Sequence, residues 1–189
     1  MEFEEKQLVQ RVLAGEAKAF KEFIERYKKL VAHIVFRMVA NSSDRQDVCQ
    51  DVFVKAYENL QGFQFQSKLS TWLARIAYNT CVNYLEKKRI PLFEDRKADD
   101  STLDSLASDI ETPYDDAEES DASRLLHEQV AALPVLYRTI VTLFHLEGMK
   151  YAEIGHILAL PDGTVKSYLF RARKMLRERL IALQEDVLC

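Results

Sequence analysis

The 189-residue sequence has little glycine, proline and cysteine, and it has no long uninterrupted apolar run. The five glycines and four prolines fall mostly between stretches of helical periodicity, which disfavours a fold built from strands. Because no apolar stretch approaches about 20 residues, no transmembrane helix is expected. The charged, amphipathic N-terminus MEFEEKQLVQRV does not match a secretory signal. We therefore expect a cytoplasmic protein.

The sequence also offers few groups for catalysis or metal binding. Its three cysteines, Cys49, Cys81 and Cys189, are an odd number at irregular spacing. The first two lie beside apolar residues, so we expect buried free thiols in a reducing compartment. The four scattered histidines form no ligand pattern, which predicts no metal site. No phosphate-binding loop or nucleophile motif is present, so we expect neither a cofactor nor an enzyme.

Apolar residues recur every three or four positions in the first half of the chain, which predicts three helices. The first extends from Lys18 to Val39, and the second covers roughly residues 45–60 with Ser43 or Asp44 as its N-cap. The third covers residues 71–88. The predicted inward residues of the second helix are Val48, Val52, Ala56 and Leu60, and those of the third are Trp72, Leu73, Ile76, Ala77 and Leu85.

The last third of the chain predicts a helix-turn-helix. A first apolar stripe contains Leu125, Leu126, Val130 and Leu133, and a second helix opens at Pro134 and ends at Glu147-Gly148. A short helix over residues 151–158 then leads through a tight turn into a long final helix, with Pro161 in its first turn. A short helix, a tight turn and a second helix are the layout of this motif.

Charge is distributed in three blocks, although the net charge is only −4. Residues 1–92 carry a net charge of +4, residues 93–123 of −10 and residues 124–189 of +2. The acidic block is rich in Asp, Glu and Ser and has little periodicity, which is typical of a flexible tether. The predicted fold is therefore all-α, with two small helical domains over residues 1–91 and 124–189 and a flexible acidic linker over residues 92–123.

The final helix is basic within an acidic protein. LALPDGTVKSYLFRARKMLRERL, residues 158–180, has six basic and two acidic residues. A solvated helix face is one interpretation, and a helix that enters a DNA groove is the other. Two faces are distinguishable: a buried stripe of Val165, Leu169, Ala172, Leu176 and Leu180, and a polar face of Lys166, Ser167, Phe170, Arg171 and Lys174. Such polar groups donate to phosphates or fork onto guanine, and an exposed aromatic can contact a thymine methyl, so the pattern favours DNA binding.

Three ordered blocks resemble a known family. DRQDVCQDVFVKAYENL, STWLARIAYNTCVNYLEKKR and YAEIGHILALPDGTVKSYLFRARKML resemble successive blocks of the extracytoplasmic-function (ECF) sigma factors of bacteria. The resemblance covers nearly all of the chain outside the acidic segment. It implies a protein without catalytic activity that binds core RNA polymerase and directs promoter-specific initiation. The alternative is an ordinary helix-turn-helix regulator with a sensing N-terminal module, which would bind duplex DNA without polymerase.

The resemblance also implies a role for each helix. The second helix would dock on the β′ clamp helices of polymerase, and the second domain would contact the β flap. The polymerase-binding candidates are Asp47, Gln50, Asp51, Lys55 and Glu58. The candidates for the −10 element, in the third helix and the loop before it, are Phe63, Gln64, Phe65, Ser67, Arg75, Tyr78, Asn79, Asn83, Lys87 and Lys88. The candidates for the −35 element are Lys166, Ser167, Tyr168, Phe170, Arg171 and Lys174.

Three positions depart from the family pattern. Gln64 and Phe65 stand where the family commonly has a basic residue and then glycine, and Gly155 stands where it usually has alanine. Family members are commonly held inactive by an anti-sigma protein, so the resemblance implies such a partner and a role in a stress or envelope response. It further implies that the acidic linker threads through polymerase towards the RNA exit path.

Overall fold

The chain folds into two helical modules. A computed structural model describes residues 2–90, 92 and 121–187. The first module consists of α1 (Glu2–Leu13), α2 (Ala17–Met38), α3 (Ser42–Asn59), a 3-10 turn (Leu60–Gly62) and α4 (Leu69–Lys87). The second consists of α5 (Asp121–Ala131), α6 (Val135–Val141) continued by a π-helical turn (Thr142–Leu146), α7 (Tyr151–Leu158) and α8 (Asp162–Val187). These described residues contain no strand, and the predicted all-α class is confirmed.

The core of the first module lies where α2, α3 and α4 pack together. The predicted inward residues of α3 are all buried. In α4 the result is divided: Leu73, Ala77 and Leu85 are buried, whereas Trp72 and Ile76 are half-buried. The three- and four-residue spacing therefore identified the inner face of each helix, and the edges of that face are partly open to solvent.

The start of α3 differs from the prediction. Asn41, rather than Ser43 or Asp44, is the N-cap, because its Oδ1 accepts a hydrogen bond from the Ser43 N–H at 3.1 Å. The helix consequently begins at Ser42. Arg45 in its first turns is buried, and its guanidinium donates to the carbonyls of Val39 (2.9 Å) and Ala40 (3.2 Å). A cation thereby satisfies acceptors just beyond the end of α2.

The second module also departs from its predicted stripe at one end. Val130 and Leu133 are buried, but Leu125 and Leu126 are exposed. Consecutive helix positions point about 100° apart, and the start of α5 has packing on too little of its circumference to bury both leucines. Helix α5 begins at Asp121, inside the predicted linker, and Pro161 precedes the first residue of α8. Residues 93–120 of the predicted linker lie outside the described residues.

The two modules lie against each other. Helix α4 packs on α7, and α2 packs on α6 and the turn that follows it. Helix α4, assigned from the sequence to −10 reading, is therefore in contact with the first helix of the helix-turn-helix, although 63 residues separate the two helices along the chain.

Candidate nucleic-acid interface

The turn between α7 and α8 is tight because Gly155 has no side chain. Ala159 adopts a left-handed conformation with φ of 54°, and the Leu160 N–H donates to the Gly155 carbonyl at 2.9 Å. A Cβ on Gly155 would lie 2.6 Å from the Leu160 carbonyl oxygen. The Pro161 carbonyl then accepts hydrogen bonds from the N–H groups of Thr164 and Val165 in the first turn of α8. The chain thus reverses into α8 within three residues, as a helix-turn-helix requires.

Helix α8 separates into a buried side and an open side. Val165, Leu169, Ala172 and Leu176 are buried, and Leu180 is half-buried. The five predicted polar-face residues, Lys166, Ser167, Phe170, Arg171 and Lys174, are all exposed. Phe170 is 70% exposed, which leaves an aromatic ring in water between cations. This combination suits a groove of DNA, where phosphates meet the cations and a thymine methyl meets the ring.

Three side chains on α8 are already engaged within the module. Tyr168 is half-buried, and its ring meets that of Tyr137 edge-on with centroids 5.8 Å apart. Ser167 Oγ donates to the Gly163 carbonyl at 2.9 Å. The guanidinium of Arg173 lies 5.3 Å from the centre of the Phe144 ring and donates to His145 Nε2. Tyr168 therefore borders the open face and is the one half-buried residue among the six predicted to read the −35 element.

The loop before α4 holds two phenylalanines in different environments. Phe63 is buried, with ring centroids 4.7 Å from Phe65 and 5.2 Å from Trp72. Phe65 is 40% exposed, has a φ of 56°, and lies under the Lys6 ammonium at 5.6 Å. Phe63 is thus the buried ring of this cluster and Phe65 its solvent-exposed ring. A base that leaves the DNA stack could contact the ring of Phe65, and the ring of Phe63 packs beneath Phe65.

The open face of α4 carries amides and cations at four-residue steps. Arg75, Asn79, Asn83 and Lys87 recur on that face and are exposed, as is Lys88. Gln64 in the loop is exposed and accepts from Gln66 at 3.0 Å, and Ser67 is half-buried. Tyr78 is half-buried, and burial raises the pKa of its hydroxyl. The face therefore offers hydrogen-bond donors and acceptors along about three helical turns, beside an aromatic cluster.

The C-terminal end of α4 is anchored to α3. The Tyr84 hydroxyl donates to Asp44 Oδ2 at 2.6 Å, and Lys88 Nζ lies 3.6 Å from the same oxygen. The hydrogen bond from Tyr84 and the nearby Lys88 ammonium lower the pKa of the Asp44 carboxyl. Burial and this bond raise the pKa of Tyr84 to about 12. One of the predicted cations, Lys88, is therefore partly used inside the module.

Helix α3 presents the face predicted to bind polymerase. Asp47, Gln50, Asp51 and Glu58 are exposed, but Lys55 is half-buried and its ammonium donates to Thr80 Oγ1 of α4 at 3.3 Å. Of the five predicted polymerase-binding residues, Lys55 is therefore the one whose side chain turns from the exposed face towards the neighbouring helix. Two exposed residues of α3 were not singled out from the sequence: Val54 is 55% exposed and Tyr57 is 50% exposed. Their spacing could have identified them: Gln50, Val54 and Tyr57 are four and three residues apart, so they lie on one face of the helix.

Of the three cysteines, Cys49 lies on α3 and Cys81 on α4, and Cys189 lies outside the described residues. Cys49 is half-buried and Cys81 buried, and both are free thiols. Burial raises the pKa of Cys49 to about 11 and also raises that of Cys81. Over residues 2–90, 92 and 121–187, no group of three or more potential ligands is placed to hold a metal ion. Within the same residues, no helix has the length and apolar character needed to cross a bilayer.

Comparison with known protein families assigns both modules. The model of sigma-70 region 2 matches residues 23–90, and that of sigma-70 region 4 matches residues 123–176. The first match contains α3, α4 and most of α2, and the second contains most of α5, all of α6 and α7, and the first half of α8. The two candidate DNA-reading helices thus fall in separate matched regions.

Relatives from several bacteria match over nearly the whole chain. The ECF RNA polymerase sigma-E factor of Haemophilus influenzae is 38% identical over 92% of this chain and 93% of its own length. The RNA polymerase sigma-H factor of Pseudomonas aeruginosa is 35% identical over 97% of each chain, and the ECF RNA polymerase sigma factor SigW of Bacillus subtilis is 32% identical over 95% of this chain and 98% of its own.

Solved structures share the fold at lower identity. The sigma factor RpoE in complex with the anti-sigma factor NepR, from Bartonella quintana, has a TM-score of 0.63 at 22% identity and covers 87% of this chain and 98% of its own. CnrH in complex with the cytosolic domain of CnrY has a TM-score of 0.61 at 22% identity over 93% and 96%. With two matched regions and relatives of this similarity along its full length, the chain belongs to the ECF family of bacterial RNA polymerase sigma factors.

Proposed function

We propose that α8 reads the −35 element in duplex DNA, that α4 with its preceding loop reads and holds the opened −10 element, and that α3 docks on core RNA polymerase. The observation that carries this division is the pair of exposed, cation-bearing faces on α4 and α8, each on a different module of a sigma-family chain. The protein acts as a specificity factor for polymerase and not as a catalyst. We assign it to the cytoplasm because its polymerase and its promoters are there.

At the −35 element, the N-terminal half of α8 enters the major groove. Lys166, Ser167 and Arg171 lie on the first turns of the open face, where a recognition helix meets base edges. Arg171 can form two hydrogen bonds with a guanine, and Phe170 can contact a thymine methyl. Lys174, one turn later, contacts phosphate and sets register without reading sequence.

At the −10 element, the opened strand lies along α4. Asn79 and Asn83 hydrogen-bond exposed base edges, and Arg75, Lys87 and Lys88 contact the backbone. Phe65 stacks on a base that has left the duplex, with Phe63 beneath it. Gln64, Ser67 and Tyr78 border the same pocket and contribute hydrogen bonds. Since Gln64 and Phe65 depart from the family pattern, we expect a base preference that differs from that of typical members.

At the polymerase surface, α3 presents a mixed face. The exposed carboxylates Asp47, Asp51 and Glu58, with Gln50, give register and fast association with a basic partner surface such as the β′ clamp helices. Val54 and Tyr57 lie on the same helix with half or more of their surface exposed and supply the apolar contact at its centre. We propose that the second module contacts the β flap.

An anti-sigma protein is the expected regulator. RpoE of Bartonella quintana and CnrH were each solved with a protein partner, NepR and the cytosolic domain of CnrY. By likeness of fold, we propose that this chain is restrained by a partner of the same class and released in a stress or envelope response. The linker, which lies outside the described residues apart from its ends, would occupy the RNA path of polymerase through its net charge of −10. Unchanged promoter escape after replacing its Asp and Glu by Asn and Ser would argue against that role.

The deciding experiment is run-off transcription with purified core polymerase. The full chain is added to core on templates drawn from start sites that appear on overexpression. We expect discrete transcripts only when both proteins are present, and no shift of promoter duplex by the chain alone at the same salt. Tight duplex binding without core, and no transcripts with it, would instead indicate a regulator of the helix-turn-helix class.

A further inference from the structure

Two guanidinium groups have buried, unpaired nitrogen atoms where α2 packs on α6. Arg37 of α2 is only 5% exposed, and its Nη1 atom has no hydrogen-bond partner among the described residues. Arg138 of α6 is half-buried. Its Nη1 donates to the Ala131 carbonyl at 2.8 Å, but its Nε is buried and lacks a partner in the same part of the chain. Because buried polar atoms almost always have a partner, two unpaired donors on packed helices indicate that an acceptor belongs beside them.

A third guanidinium lies beside these two. Arg45 of α3 is 5% exposed and donates to the carbonyls of Val39 and Ala40, just after the end of α2. Burial and then the charges of Arg37 and Arg45 lower the pKa of Arg138 to about 10. Burial and then the charge of Arg45 lower the pKa of Arg37. The three positive charges therefore interact with one another inside the fold.

No carboxylate of residues 2–90, 92 and 121–187 forms an ion pair with any of the three arginines. Carboxylates of the second module that reach the first are used elsewhere. Glu147 contacts His33 Nδ1, and Oε1 of Glu153 lies 2.9 Å from Nζ of Lys68. Buried charges without a counter-charge are strongly unfavourable, and a water molecule would accept hydrogen bonds without offsetting the charge. The arginine cluster therefore favours an anion.

We propose that Arg37, Arg45 and Arg138 form a binding site for a phosphate group between α2, α3 and α6. Guanidinium groups bind phosphate through paired N–H donors, and the two negative charges that phosphate can carry offset three cations better than one chloride ion does. Its several acceptor oxygens can also bridge donors on different helices. The site goes beyond the proposed function, because none of the three arginines belongs to the faces assigned to DNA or to polymerase.

The test uses the full chain and removes one guanidinium at a time. Arg37→Met replaces the buried cation by an apolar side chain of similar length, and Arg138→Met is the second variant. Arg26→Met is the matched control, because Arg26 lies on α2 but is exposed and ion-paired with Glu22. In chloride buffer, we expect Arg37→Met to unfold at the wild-type temperature or above it, since one of three like charges is removed.

Binding is measured in two ways. The phosphorus NMR signal of inorganic phosphate is followed as the protein is added, and thermal unfolding is recorded while phosphate replaces chloride at constant ionic strength. Phosphate stabilises many proteins by exclusion from their surfaces, so the difference between variants is the readout.

We expect saturable binding of about one phosphate per chain. At a tenfold excess over the dissociation constant, the unfolding midpoint of the wild type should rise by about 3 °C or more beyond the rise for Arg37→Met. Arg26→Met should respond as the wild type does, and Arg138→Met should lose most of the additional rise.

The phosphate group can come from the free ion or from a nucleotide, and guanosine diphosphate distinguishes the two sources. Release of bound phosphate by the nucleotide at a lower concentration indicates a nucleotide site, and phosphate binding that the nucleotide leaves unchanged indicates the free ion. Both results support the site. Equal rises in midpoint for the wild type and Arg37→Met, or no saturable binding of either probe, overturn it. These outcomes do not depend on run-off transcription, which tests the proposed function.

Discussion

The hydroxyl of Tyr84 donates a 2.6 Å hydrogen bond to the carboxylate of Asp44 and ties the end of α4 to the first turn of α3. The helix proposed to hold the −10 strand is thereby fixed to the helix proposed to dock on polymerase. Lys88 approaches the same carboxylate, and Asn41 donates to it at 3.2 Å. This cluster couples the two surfaces through a rigid contact instead of a loop.

The cluster predicts a specific acid sensitivity. The folded-state pKa of Asp44 is below its usual 3.8, so its contribution to stability is complete above that pH and is lost as the pH falls through the lowered value. Tyr84→Phe removes the principal cause of the shift. We expect its urea midpoint to be lower than wild type at neutral pH and to converge on wild type once the pH falls below the lowered pKa of Asp44. Tyr57→Phe, whose ring packs on Phe20 at the surface, is the control and should follow wild type throughout.

Gly155 is expected to be intolerant of alanine. Its Cβ would meet the backbone oxygen of Leu160 at 2.6 Å, and a backbone atom in a tight turn cannot move away cheaply. Overpacking of about 1–3 kcal/mol should exceed the roughly 1 kcal/mol that alanine gains in helix propensity. Gly163→Ala in the first turn of α8, where a Cβ meets nothing within 4 Å, is the matched control and should be neutral or stabilising. Equal unfolding midpoints for the two variants would contradict this account of the turn.

Most of the helices were predictable from the sequence, because stripes such as Val165, Leu169 and Ala172 repeat at three- and four-residue steps over several turns. Helix α1, Glu2–Leu13, was not among the predicted helices. The cap of α3 was missed because Asn41, Ser43 and Asp44 are all good N-cap residues and only the backbone path selects among them. The contact between modules was not predictable, since Glu147 and Glu153 look like ordinary surface carboxylates in the sequence. Which side of a helix meets a distant segment depends on tertiary geometry that local spacing does not encode.

The two phenylalanines of the −10 loop should separate stability from binding. Phe63→Ala removes a buried ring and should cost about 3–5 kcal/mol of unfolding free energy. Phe65→Ala should leave the unfolding free energy within about 1 kcal/mol of wild type, because its ring is 40% exposed, yet weaken binding of holoenzyme to single-stranded −10 oligonucleotide by about 1–3 kcal/mol. Fluorescence anisotropy with the oligonucleotide gives the second value. Normal oligonucleotide affinity for Phe65→Ala would remove Phe65 from the pocket.

Substitutions of Arg171 and Lys174 should affect −35 binding differently: the first should change sequence specificity and the second the affinity for all sequences. Arg171→Ala is expected to cost about 1–3 kcal/mol, and only on templates that retain the guanine it reads. Lys174→Ala should weaken holoenzyme binding on all templates alike and reduce the slope of log affinity against log salt by about one. Titrations on a set of single-base −35 variants at several salt concentrations give both quantities. Uniform losses for both substitutions would mean that neither residue reads a base.

On α3, Asp51 and Lys55 were predicted to serve the same surface, but their surroundings give them different roles. Asp51 is exposed, whereas the Lys55 ammonium donates to Thr80, whose side chain is buried. Asp51→Asn should therefore leave unfolding within about 0.5 kcal/mol of wild type and slow association with core, most clearly at low salt. Lys55→Met should lower the unfolding free energy by about 1 kcal/mol, because Thr80 loses a partner, and should leave the salt dependence of core association unchanged. Stopped-flow association across a salt series, paired with urea unfolding, distinguishes them. If Lys55→Met alters the salt slope as much as Asp51→Asn does, then Lys55 leaves Thr80 to join the polymerase contact, and its bond in the free chain is a resting position.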